Sequence, residues 1–158
     1  MTSSKNKSLI IGDVFRIKTK IGFAFFQYIE TDDTGTDYIR ILDYISNSEA
    51  EIKQDDINKI EKWHIGFTIK PAIRKKIIEK VGNFEIPPNY KVPEFARTEH
   101  NIRGNFLGWF IVNRKTLQRE LKEKLNTDEL KLSPFGFMND TLIIEKIEQN
   151  WKLENWNK

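Results

Sequence analysis

The chain has 158 residues, 31% of them charged, a formal net charge of +3 and no cysteine. That length suits one domain, and a 12% aromatic share excludes a disordered chain. The missing cysteines exclude a disulfide framework, a thiol nucleophile and a zinc ribbon, and +3 alone is too small to mark a nucleic-acid binder.

Residues 1–8 are polar and are expected to form a frayed tail, with a single domain over 9–158. Leu9, Ile10 and Ile11 are cut short by Gly12-Asp13, too soon for the apolar core of a signal peptide. No window approaches the roughly 20 apolar residues of a membrane-spanning helix, so a cytoplasmic protein is expected. Gly12 to Lys18 reads as a strand, and Phe23 to Ile29, rich in aromatics, as its hairpin partner across a short Gly22-containing link. Asp32-Asp33-Thr34-Gly35 is a turn signal, and Tyr38, Ile39, Ile41 and Leu42 supply a third strand. Three such strands make a meander, the start of a curled sheet or half-barrel.

Ser46 to Gln54 is polar and predicts a loop. Trp63, Ile65, Phe67 and Ile69 alternate with His64, Gly66 and Thr68, which predicts a strand over 62–70 with His64 on the solvent side. Ile69, Ile73, Ile77 and Val81 then recur every four residues and Gly82 follows, so a helix is expected from Pro71. Its β-branched content leaves an extended continuation as the alternative. Residues 83–106, with Pro87, Pro88 and Pro93, read as irregular. Leu107 to Val112 predicts a buried strand. Asn113 can cap a helix from Arg114 to Leu125, with Leu117, Leu121 and Leu125 on one face. Asn139 or Asp140 can cap a last helix carrying Ile143, Ile144, Ile147 and Trp151. The expected class is therefore α+β: an antiparallel sheet or half-barrel in the N-terminal half, with two or three helices packed on it.

The chemistry of the chain is sparse. His64 and His100 are its only histidines and neither has a partner at metal-ligand spacing. There is no Gly-x-Ser-x-Gly elbow and no phosphate-cradling glycine loop. Asp32-Asp33 and Asp55-Asp56 are paired acids, but neighbours on a strand point apart, so they read as a turn and as a loop or helix start. No metal, cofactor or catalysis is expected. Lys70, Arg74, Lys75, Lys76 and Lys80 form a basic cluster, either a solvated helix face or a phosphate-contacting stripe. Trp63 and Trp109 sit in apolar runs and belong to the core, whereas Trp151 and Trp156 suit exposed contact. The charge is also segregated. From Glu30 to Glu61 ten acids face only Arg40, Lys53 and Lys59, a net of −7 against +10 in the rest of the chain. An acidic surface of that kind steers basic partners.

Gly12-Asp13-Val14-Phe15 with Ile17, followed by the aromatic strand Phe23-Ala24-Phe25-Phe26-Gln27-Tyr28-Ile29, resembles the opening of the immunity protein 26 family of bacterial polymorphic toxin systems. The resemblance covers roughly residues 10–70. It implies an α+β protein without catalysis that neutralises a cognate toxin by covering its active site or substrate path. The −7 segment fits a nuclease as that toxin, because nucleases are basic where they hold substrate. The expected contact surface comprises Asp32, Asp33, Asp37, Asp55 and Asp56, with Tyr38 or Trp63 as aromatic anchors. A small-barrel nucleic-acid-binding module, using the basic cluster and the aromatic hairpin, is the alternative.

Overall fold

Strands β1 (Asp13–Thr19), β2 (Gly22–Thr31) and β3 (Asp37–Ser46) follow one another as an antiparallel meander in a computed structural model that describes residues 8–48 and 51–158. The tail expected at the start thus lies, apart from Ser8, outside the described residues. Phe15 pairs with Phe26 and Ile17 with Ala24 across the first hairpin. Strand β4 (Trp63–Gly66) joins β3, and β5 (Ile78–Asn83) joins β1, so the first sheet has the order β4-β3-β2-β1-β5. A second sheet has the order β6-β7-β8, built from Phe95–Ile102, Asn105–Asn113 and Arg119–Lys122. Short helices α1 (Gln54–Ile57) and α2 (Ile69–Arg74) and the longer α3 (Asp140–Glu148) complete the α+β fold, whose sheets are open.

Both faces of the first sheet are covered. On one, Phe15, Ile17, Phe26, Ile39, Ile41 and Trp63 pack with Ile69 and Ala72 of α2 and Ile143 and Ile147 of α3. On the other, Val14, Phe25 and Leu42 lie beneath Ile52 and Ile57. Burial on two faces is why Phe23–Ile29 reads as a continuous apolar run instead of an alternation. The last helix forms as expected, with the Asn139 side chain accepting from Leu142 N at 2.8 Å.

The Gly12-Asp13 pair fixes where β1 begins. Gly12 has φ +97°, and a Cβ there would meet the Phe84 carbonyl oxygen at 2.5 Å. Asp13 is buried; it accepts from Ile10 N and from Asn83 Nδ2 and pairs with Lys80 at 3.0 Å. The opening motif therefore ties β1 to the edge strand β5.

Segment 133–138 joins the two sheets. Gly66 N donates to Gly136 O and Met138 N to Gly66 O, while Arg97 N donates to Ser133 O and Phe135 N to Arg97 O. One side of this segment bridges β4 and the other bridges β6.

Four expectations are corrected. The helix expected over 71–81 stops at Arg74, Lys76 takes φ +58°, and Ile78 onwards is the extended alternative, paired with β1. Strand pairing suits its β-branched residues better than a longer helix. The helix expected over 114–125 is a tight turn followed by β8. Asn113 does cap, accepting from Lys115 N and Thr116 N, but Leu117 takes φ +63° and Leu117 and Leu121 are 56% and 52% exposed. A helix there has no surface against which to bury its leucines, while the edge of β7 offers open backbone groups. The irregular stretch ends at Glu94, since β6 begins at Phe95. Its pattern is masked because Arg97, a polar residue, occupies a buried position. His64 is 5% exposed, not solvent-facing, because the loop carrying Tyr90 closes over it.

Candidate functional site

The acidic segment is built around β3. At its start, the β2–β3 turn folds onto Asp32, whose Oδ1 accepts from Thr34 N at 2.9 Å, Thr34 Oγ1 at 2.6 Å and Thr36 N at 3.0 Å. Partial desolvation opposes the charged form, but these hydrogen bonds and the Arg114 charge outweigh it and hold the carboxyl below its usual range. Asp32 and Asp33 are exposed at the tip. Asp37 is half-buried and accepts from Thr31 Oγ1 at 2.8 Å; that hydroxyl also lies 2.5 Å from the Tyr28 hydroxyl. Beneath the turn opens a cleft of about 600 Å³, bounded by Leu9, Tyr28, Asp37, Phe67, Lys70 and Phe137.

Asp55 and Asp56 lie in α1, beside the middle of β3, where Ile57 packs on Leu42. They are thus on a different element from the turn pair. Asp55 is exposed, whereas Asp56 accepts from Lys53 N and closes the first turn of the helix. Trp63 is fully buried and Tyr38 is 6% exposed, so neither offers its ring to a partner in this structure. Both were drawn inward by β-sheet alternation together with the cover on each face. Burial raises the Tyr38 hydroxyl to about 12, against the opposing influence of Arg114, whose guanidinium lies 3.5 Å above the Tyr38 ring. Arg114 also pairs with Glu30 at 3.1 Å.

The most developed polar arrangement centres on Arg40, Glu61, His64 and Tyr90, none of which is among the contact residues expected from sequence. Arg40, in the apolar run of β3, is fully buried. It donates to Gln27 Oε1 at 2.7 Å, to the carbonyls of Ile57 and Lys59, and to Glu61 at 3.5 Å. His64 stacks on Tyr38 with ring centroids 5.7 Å apart, and its Nε2 is 2.6 Å from the Tyr90 hydroxyl and 3.3 Å from Glu61. Burial, then the positive charges of Arg40 and Arg114, press its pKa down to about 3, so the ring is neutral near pH 7. Burial, with Glu61 next, pushes the Tyr90 hydroxyl up. The visible signal was a charged residue within Tyr-Ile-Arg-Ile-Leu, which no exposed face could accommodate.

This burial changes the charge of the outer surface. Arg40 is removed from it, leaving Lys53 and Lys59 as the exposed cations of the segment, against exposed Asp32, Asp33, Asp43, Glu51 and Asp55. Glu49 lies outside the described residues. Among the described residues no group of His, Cys, Asp and Glu side chains is gathered to hold a metal ion, and no helix is long and apolar enough to cross a membrane.

The basic cluster lies around α2 and β5. Lys70, Arg74, Lys75 and Lys76 are exposed, and Lys80 is engaged by Asp13. Trp151 and Trp156, expected to be exposed, are half-buried: Trp151 packs edge-on against Trp63, and Trp156 against Trp109. No protein-family model, no curated protein and no solved structure matches this chain.

Proposed function

We propose that the protein is a bacterial immunity-type binding protein, acting in the cytoplasm without catalysis and neutralising a cognate toxin by occlusion. The observation that carries this reading is the β2–β3 end of the first sheet. There Asp32 is tied down by three hydrogen bonds within a preformed turn, Asp33 projects beside it, and a cleft opens beneath. A turn already ordered before binding loses little conformational entropy on docking, and its negative charge speeds encounter with a basic surface. A nuclease suits it by charge. The resemblance of Gly12-Asp13-Val14-Phe15 and the aromatic second strand to immunity protein 26 points the same way.

The test is co-expression with the toxin-like product encoded beside this gene, scored as rescue of growth. The wild-type chain is expected to rescue and to co-purify with that product. Asp32→Lys with Asp33→Lys is expected to weaken the complex about tenfold or more, mainly through slower association. A neighbouring toxin that kills equally with and without this protein overturns the proposal.

A further inference from the structure

The second sheet has two unlike faces. Alternation along β6 and β7 places Arg97, Glu99, Trp109 and Ile111 on one of them, and the C-terminal segment covers it, with Trp156 against Trp109 and bonded to Glu99. Thr98, His100, Phe110, Arg119 and Leu121 occupy the other face. There Arg119 and Leu121 are exposed, and His100 and Phe110 are half-buried. Towards the bridging segment this face is closed, with Ala96 and Val112 1% and 0% exposed, and Phe135 lies beside Arg119 there. The result is a row of flat groups. The Arg119 guanidinium sits 5.9 Å from the Phe135 ring and 5.6 Å from the Phe110 ring, and Phe110 is 4.5 Å from the His100 ring.

Charge is sorted between the same two faces. Glu99 and Glu120, the acids of the three strands, both belong to the covered face, where they engage Trp156, Lys158 and Lys122. The open face holds no carboxylate from these strands. Arg119 makes no ion pair among the described residues, and neither do exposed Arg103 and Lys115 in the turns at the two ends of β7. A nine-residue strand spans roughly 30 Å, long enough for several nucleotides.

We propose that this open face binds single-stranded nucleic acid, with bases stacking on Phe110 and His100 and the phosphate backbone passing Arg119. Aromatic faces give base stacking without sequence preference, and unpaired cations attract the phosphates. An apolar protein segment would use the rings but gain nothing from sorting every strand carboxylate to the opposite side. The stacking groups lie on the second sheet, whereas Asp32 and Asp33 lie in the β2–β3 turn of the first, so separate variants distinguish this inference from toxin binding.

The experiment is fluorescence anisotropy of the full-length protein with labelled oligouridine and oligothymidine, at 50 and 200 mM salt. Binding is expected to weaken about sevenfold between those salt concentrations if two phosphates are neutralised. Phe110→Ala is expected to cost about tenfold in affinity, and Arg119→Glu a similar factor with a flatter salt dependence. Phe110→Leu keeps apolar bulk while removing the π-face, so it reports on stacking even if the alanine variant fails to fold. Asp32→Asn with Asp33→Asn is expected to leave affinity unchanged. Absence of binding at 50 mM salt overturns the proposal. So does binding that ignores Phe110→Leu and Arg119→Glu but disappears when Lys75 and Lys76 are replaced by Glu, which would place the contact on the α2–β5 cluster.

Discussion

Arg40 and Arg97 are fully enclosed guanidinium groups, one in each sheet, and they are held by different means. Arg40 keeps a carboxylate, Glu61, at 3.5 Å, and its other acceptors, Gln27 and the Ile57 and Lys59 carbonyls, come from its own half of the chain. Its Nε has no hydrogen-bond partner among the described residues. Arg97 has no carboxylate in ion-pair contact among the described residues. It donates to the carbonyls of Leu130, Leu132, Leu153 and Trp156, and lies between the rings of Trp109 at 4.7 Å and Trp156 at 4.3 Å. Burial lowers the pKa of both, that of Arg97 to about 10 against the opposing charge of Glu99, so both remain cationic near neutrality. A planar fork with five donors can satisfy carbonyls arriving from several directions. Arg40 thus secures a local connection, from β3 to α1 and the loop leading into β4, whereas Arg97 assembles the C-terminal segment onto the second sheet.

The largest expected effect follows from that difference. Arg97→Ala leaves four carbonyls and two tryptophan faces without their partner and is expected to cost roughly 3–5 kcal/mol in urea denaturation. Arg97→Lys is expected to recover little, because a single ammonium cannot reach all four acceptors. A loss below about 1 kcal/mol would mean that water replaces the guanidinium, and the contrast with Arg40 would collapse. Arg40→Ala is expected to cost less, about 2–3 kcal/mol. Its orphaned Glu61 side chain keeps 20% of its exposure and can turn towards water. Arg40→Met combined with Glu61→Gln is expected to regain part of that loss, since it removes both charges.

His64 gives the polar cluster around Arg40 a pH dependence. Its folded pKa of about 3 lies below its ordinary 6.5, so the unfolded chain binds the extra proton first. The stability from this group is complete above about pH 6.5 and is lost as pH falls towards 3. At pH 5.5 the expected loss is about 1–2 kcal/mol, and His64→Gln is expected to flatten the slope between pH 7 and 5 in thermal melts. Equal slopes for the two proteins would remove His64 from the account. The smallest effect expected is that of Tyr90→Phe, which deletes the 2.6 Å hydrogen bond to His64 and should cost about 1 kcal/mol.

Much of the first sheet was legible because its signals are local. The hairpin of β1 and β2, the Asp32–Gly35 turn and the Asn139 cap each depend on neighbours a few residues away, whereas the strand expected over 62–70 stops at Gly66 with all four of its residues buried, and Ile69 already begins α2. The exposure of Asp32, Asp33 and Asp55 was equally visible. The placement of Tyr38 and Trp63 as contact anchors was not, because covering elements come from distant parts of the chain and leave both side chains inside. His64 failed as an exposed residue for the same reason: its cover, Tyr90, is 26 residues away.

The sequence by itself determined the α+β class, the opening meander, the last helix and a net −7 between Glu30 and Glu61. Periodicity, turn residues and formal charge are properties of short stretches, and folding does not rewrite them. Tertiary structure alone decided that Arg114–Leu125 turns back as a strand and that Arg40 and Arg97 are interior. It also sorted the acids of the second sheet to one face. The reason is physical: a charged side chain can be buried only where acceptors meet it, and those acceptors are carbonyls from segments up to 59 residues away, brought together only by the finished fold.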